Sequence, residues 1–356
     1  DIIVVGFALF SMFFGAGNVI FPPYLGMESG PAWLAGFSAY FIADIGLALA
    51  AMFALLRVGS SEAVLQRVGR VPAEILMCAI ILCVGPMVAI PRTSASTFEM
   101  AIAPNLPGVS AVVFSVLFFA LILALCIRES AVVDIVGKVL TPLLLLGLTA
   151  IIVKGIVTPL GTIATETKID SAIVTGVKSG YQTMDALAAL NFGAVIAMNI
   201  RAQGVAREQD VQRSAIRAGL VAGGLLLAVY TMLGHAGALT GAAAPGLATG
   251  AEVLTVLAER LFGKAGLVLL AAIFMLACFN TCVGLIACVG EYFHTLLPRI
   301  PYPVLAAFFA VASMLIANLG LADILRLSVP VLNALYPVAI VLILSLIHIS
   351  EPTRLD

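Results

Sequence analysis

Near its N-terminus the chain carries FSMFFGAGNVIFPPYLG (Phe10–Gly26), which sets two glycines, an asparagine and a proline pair in an otherwise unbroken apolar run. In hydrocarbon every backbone N–H and C=O must find a partner. A segment that invites its helix to open at Gly15–Asn18 therefore makes sense only where the freed groups face a ligand, an ion or water. The spacing predicts a discontinuous helix with a binding site at the break. Glycines that merely bring helices together recur with three residues between them, whereas Gly15 and Gly17 have one. A second break is expected in YQTMDALAALNFGAVI, at Leu190–Gly193, about half a chain away.

Of 356 residues, 62% are hydrophobic and 10% charged, a balance no water-soluble surface of this size carries. The chain reads as an all-α polytopic membrane protein. Segments long enough to cross about 30 Å of hydrocarbon lie at 2–27, 31–56, 73–103, 109–127, 135–157, 178–200, 214–239, 264–292, 302–320 and 326–344. These ten spans halve into five plus five, and an odd number per half sets the halves in opposite orientations. Breaks in helices 1 and 6, the first of each half, are then the trace of an inverted repeat and of a secondary transporter's site, with repeats at 1–157 and 158–344. Arg201, Arg207, Arg213 and Arg217 crowd one short connection and put the N-terminus in the cytoplasm by the positive-inside rule. The chain opens on Asp1 and closes on LSLIHISEPTRLD, so its start is expected to be clipped and 345–356 to be a non-native tail.

A net charge of −1 and the lack of a basic patch argue against nucleic acid. The six cysteines (Cys78, Cys83, Cys126, Cys278, Cys282, Cys288) sit in apolar runs without metal-ligand spacing and read as small core hydrophobes. HExxH, GxSxG and phosphate-loop signatures are missing from the sequence, which excludes the common enzyme motifs. Nothing suggests an obligatory protein partner or the filter loop of a channel.

Polar residues inside the spans are the remaining candidates. Asp185 is an intramembrane carboxylate, costly enough to be functional by default unless it lies at the watery end of its span. It precedes the expected break by about one and a half turns, which predicts an outer gate with Arg92. Arg92, Ser96 and Glu99 share one helical face, either lining a vestibule or forming a plain ion network. Asn280 and Thr281 stand side by side in ACFNTC and offer hard oxygen donors to an alkali cation, or a hydrogen-bonded pair between helices. Asp44 and His235 are lone polar groups, and His235 reads as a core or interface histidine.

FFGAGNVIFPPYLG, AIPRTSASTFE, YQTMDALAALNFGAVI, LACFNTCVGLIACVGEYF and LSVPVLNALYPVAIVLIL together resemble the bacterial branched-chain amino acid:cation symporters, or branched-chain amino acid transport system II carriers. The resemblance runs from residue 2 to about 344. That family usually continues for about two further helices, so the chain is expected to be truncated. The resemblance implies the five-plus-five inverted-repeat fold, the lipid bilayer of the bacterial cytoplasmic membrane, and import of leucine, isoleucine and valine coupled to Na⁺, with H⁺ or another neutral amino acid as the alternative. It implies that the Ala16 and Gly17 amides hold the substrate carboxylate while Gly15 and Asn18 shape the turn. It further implies a side-chain pocket at Ala189, Leu190, Asn191 and Phe192, and a Na⁺ site of Ser11, Phe14 and Ala277 backbone oxygens with Asn280 and Thr281 side chains. Asn280 stands where a hydroxyl residue is more usual, which leaves the cation's identity and geometry open.

Overall fold

A computed structural model describes residues 2–58, 70–127, 136–158, 161–202, 204–205, 207–242, 246–247 and 249–350. Among them there is no strand. The first apolar run forms α1 (Ile2–Phe13) and α2 (Ala16–Ser29), parted at Phe14 and Gly15. Gly15 is extended (φ −104°, ψ −169°), which ends one helix and starts the next. Then come α3 (Trp33–Phe41) and α4 (Leu47–Val58), joined through a π turn, Ile42–Gly46, that carries Asp44. Next are α5 (Arg70–Leu82) and α6 (Ala89–Thr97), with a π turn at Cys83–Met87 kinked at Gly85 before Pro86. α7 (Ala111–Cys126) and α8 (Thr141–Val157) complete this half.

The second half begins with another interrupted run, α9 (Ala172–Thr183) and α10 (Asp185–Ala202), parted at Met184. It continues with α11 (Glu208–Thr240), α12 (Gly250–Phe262), α13 (Lys264–Leu296), α14 (Tyr302–Ala317) and α15 (Leu321–Ser350). The ten expected spans all fall on helix but for short interruptions. Five stretches, 16–56, 74–102, 138–155, 208–240 and 264–296, are long and apolar enough to cross a membrane by themselves. Leu117, Leu146, Phe308 and Leu315 are each more than half exposed, as side chains that face lipid are. The short α12 buries Val253, Leu254, Leu257 and Leu261 on one face, and its length and charge kept it out of the expected spans.

The runs at 2–27 and 178–200 are both interrupted, but the second break is not at Leu190–Gly193. Residues 185–202 form continuous helix, and the interruption lies at Met184, whose φ of 69° makes it the one non-glycine with positive φ among the described residues. Gly193 is a packing glycine: a Cβ there would come 3.2 Å from Met52 Cγ on α4, against which α10 packs.

The segments beside the breaks are held by close crossings. α2 lies on α11 through Gly26 and Gly237, where an added Cβ would fall 2.0 Å from Gly234 O and from Pro23 O respectively. α9 lies on α3 in the same way, a Cβ on Gly176 falling 2.2 Å from Gly36 O. α1 also packs on α11 and α13, and α10 on α13, so the two breaks share their neighbours.

Candidate functional site

At the first break, Phe14 N–H donates to Phe10 O (2.9 Å) and Gly15 N–H to Phe13 O (2.8 Å), and the ladder resumes with Val19 N–H to Gly15 O (3.2 Å). The amides of Ala16, Gly17 and Asn18 thus open α2 without intrahelical acceptors, and with the helix dipole they form an anion-binding end. A Cβ on Gly17 would come 3.2 Å from the Phe21 ring and 3.5 Å from Thr183 Cα. The first break therefore lies against the second.

At the second break, Met184 turns the chain through the left-handed region, costly for a residue with a Cβ by about 1–2 kcal/mol. The turn sets the Thr183 hydroxyl 3.4 Å from Asp185 N–H and places Asp185 in the first turn of α10, where the helix dipole favours a carboxylate. Asn18 Nδ2 donates to Asp185 Oδ2 at 2.6 Å and more weakly to Asp44 Oδ2 at 3.4 Å. Thr183 Oγ1 stands 2.7 Å from Asp44 Oδ1 and 2.6 Å from Gly180 O. Asn18, Asp44, Thr183 and Asp185 are all buried, so three interrupted or π-turned helices meet in one polar cluster.

On the other side of the first break, Asn280 Nδ2 donates to Ser11 Oγ. Asn280 Oδ1 and Thr281 Oγ1 are buried without a hydrogen-bond partner. Thr281 Oγ1 faces the break, 3.0 Å from where a Cβ on Gly15 would be. Ala277 is fully buried on the same helix, and the Phe14 ring is fixed between Phe10 and Tyr230, at centroid distances of 5.2 and 5.8 Å.

Both breaks line a cavity completed by Arg92, Thr93, Ala188, Phe192 and Thr281, of about 20 Å³. That is room for about one water. Anything larger would require its walls to move.

The sequence pattern of a family described as "Branched-chain amino acid transport protein" matches residues 1–353. The chain belongs to this family. It is 41% identical over 349 residues to the branched-chain amino acid transport system 2 carrier protein of Pseudomonas aeruginosa, covering 96% of this chain and 79% of that protein. To the system 3 carrier of the same organism it is 40% identical with the same coverage. Against the branched-chain amino acid permease BraB of Bacillus subtilis it is 35% identical over 350 residues, again 96% and 79%. As a member of this family of carriers and permeases, the chain is an integral membrane transporter, not an enzyme.

In this member of the family, Gly15, Ala16, Gly17 and Asn18 line the cavity with Thr281, and Ser11 of α1 meets Asn280 of α13. Of the expected pocket at Ala189–Phe192, Phe192 meets the cavity. Ala188 and Phe192, one turn apart on an unbroken α10, line the cavity, whereas Ala189 is buried elsewhere. The side chains of Leu190 and Asn191 lie outside the described part of the structure. Asp185 is corrected: with the break at Met184 it lies at the site itself, not about 7–9 Å outward along the helix. Arg92 lines the same cavity and donates to Gln182 O at 3.2 Å. Glu99 leaves that face and accepts from Leu321 N–H. His235 is exposed, its ring 5.2 Å from that of Trp33.

Asp44 and Thr183 were not singled out as site residues. The cost argument that flagged Asp185 applies equally to Asp44; what the sequence lacks is any sign that residues 139 apart, as Asp44 and Thr183 are, meet.

Proposed function

We propose that the chain imports leucine, isoleucine and valine across the bacterial cytoplasmic membrane by Na⁺ symport. The observation that carries this reading is the pair of unsatisfied buried oxygens on adjacent residues, Asn280 Oδ1 and Thr281 Oγ1, the second of them facing Gly15 at the open end of α1. A buried polar atom without a partner costs about 1–3 kcal/mol, and a small hard cation is the ligand such oxygens suit. Ser11, Phe14 and Ala277 would complete its shell through backbone oxygens. The Ala16 and Gly17 amides, at the positive end of α2, would hold the substrate carboxylate. Ala188, Phe192 and Phe13 supply apolar walls. An extra methylene in such a pocket is worth only about 1–3 kcal/mol, so one pocket accepts all three side chains with weak discrimination.

Interruptions in the runs at 2–27 and 178–200 support the five-plus-five inverted repeat. The four exposed arginines around the α10–α11 connection support a cytoplasmic N-terminus. One charge crossing 100 mV supplies about 2.3 kcal/mol, more than the 1.4 kcal/mol of a tenfold gradient, so one Na⁺ suffices to concentrate substrate.

Proton coupling is the second reading, favoured by the buried Asp44–Asp185 pair. Leucine uptake by proteoliposomes under an inward Na⁺ gradient, with K⁺ replacement and with a pH gradient alone, separates the two. Accumulation driven by Na⁺ at equal pH is the expected result, and accumulation driven by the pH gradient alone would refute it.

A further inference from the structure

The buried carboxylates Asp44 and Asp185 need a role that neither a carboxylate-binding helix end nor an alkali-cation site supplies. We propose that Asp185 binds the substrate's α-ammonium group, with Asp44 behind it as the positioning residue. This rests on the reading that the Ala16 and Gly17 amides take the substrate carboxylate, because an α-amino acid carries its two charges on one carbon and needs donor and acceptor side by side. That juxtaposition is present: Gly15–Asn18 and Asp185 line one cavity, while Asp44 does not reach it.

Hydrogen-bond geometry divides the labour between the acids. The single proton of Thr183 Oγ1 cannot serve both Gly180 O at 2.6 Å and Asp44 Oδ1 at 2.7 Å. An Asp44 that carries a proton and donates it to the hydroxyl lets Thr183 donate to Gly180, and both contacts are then satisfied. Asp185 lies in the first turn of α10, where the helix dipole favours a carboxylate, and accepts a 2.6 Å bond from Asn18. Both acids share the Asn18 amide, and two carboxylates sharing a site do not both ionise; we place the pair's one charge on Asp185, the acid that lines the cavity an ammonium would enter.

The hydroxyls of Tyr40 and Tyr230 adjoin the cluster. Both are fully buried and within electrostatic reach of both acids, Tyr40 beside Asp44 and Tyr230 beside Asn18. Arg92 reaches Asp185 electrostatically from α6 and lines the cavity beside it, where it balances the substrate carboxylate that the ammonium brings along. The ligand class is a zwitterionic α-amino acid rather than a branched-chain carboxylic acid.

The test compares leucine with its des-amino analogue 4-methylpentanoate, by competition against radiolabelled leucine on the full chain in nanodiscs at saturating Na⁺. Wild type should prefer leucine by at least about 100-fold, as sites built around a buried polar contact reject ligands that lack it. In Asp185→Asn the preference should collapse to within about threefold, leucine losing its ammonium partner while 4-methylpentanoate is no longer repelled by a neighbouring carboxylate. Asp44→Asn, which keeps the shape of a neutral acid, should retain the preference. Retention in Asp185→Asn, or collapse in Asp44→Asn, would overturn the assignment. Wild type that binds leucine and 4-methylpentanoate equally overturns this inference alone, whereas wild type that binds neither overturns the transport reading beneath it.

Discussion

The two helix breaks do the same job and are encoded differently. At Phe14–Gly15 the chain opens where glycine removes the Cβ, polar Asn18 follows and Pro22 and Pro23 weaken the next turn, so the interruption is written into local sequence. At Met184 no glycine or proline marks it; a residue with a Cβ is held left-handed because Thr183 and Asp185 on either side are engaged with Asp44 and Asn18. The first break is a property of its own segment. The second is imposed by tertiary contacts, and strain of this kind persists only where surrounding structure over-determines it.

That contrast can be broken by substitution. The largest effect is expected at Gly17, where a β-branched side chain would press between Phe21 and Thr183. Gly17→Val should reduce leucine uptake to on the order of a hundredth of wild type with normal membrane insertion, measured as uptake per inserted transporter. Thr281→Ala should come next. Removing the hydroxyl that faces Gly15 should raise the Na⁺ concentration for half-activation about tenfold, with much less change in leucine affinity at saturating Na⁺, and an unchanged Na⁺ response would move the ion elsewhere. Met184→Gly removes the Cβ that costs about 1–2 kcal/mol in the left-handed region, so denaturation should show no loss or a gain of up to about 1 kcal/mol; were residue 184 helical, glycine would cost about 1 kcal/mol. Smallest of all, Gly193→Ala should leave uptake within about twofold, since alanine gains about 0.5–1 kcal/mol in a helix against the squeeze on Met52. A hinge at Gly193 would instead make that variant inactive.

Much of the architecture was legible because hydrocarbon thickness sets a length that apolar runs must meet, and all ten runs are helical. α12 escaped because it is short and amphipathic, a helix that needs a neighbour before it buries anything. Asn280 and Thr281 were legible as adjacent polar residues in an apolar run, and the structure adds that the Thr281 hydroxyl faces the break while Asn280 meets Ser11. The polar cluster was not legible. Asp44, Thr183 and Asn18 come from three separate runs, and each alone has an unremarkable explanation. Gly193 misled for a related reason: a glycine in an apolar helix serves close packing as well as it serves a break, and only Met52, from another helix, decides which.

The central claim is that substrate sits between residues 15–18 of one broken helix and 183–185 of the other. A structure of the full chain with leucine and Na⁺ bound, at a resolution that orients the ligand, tests it most directly. The account predicts the carboxylate on the Ala16 and Gly17 amides, the leucine backbone beside Met184 and Asp185, and α10 helical through Gly193. Leucine seated at an opened helix around residues 190–193, with residue 184 part of a continuous helix, would contradict it.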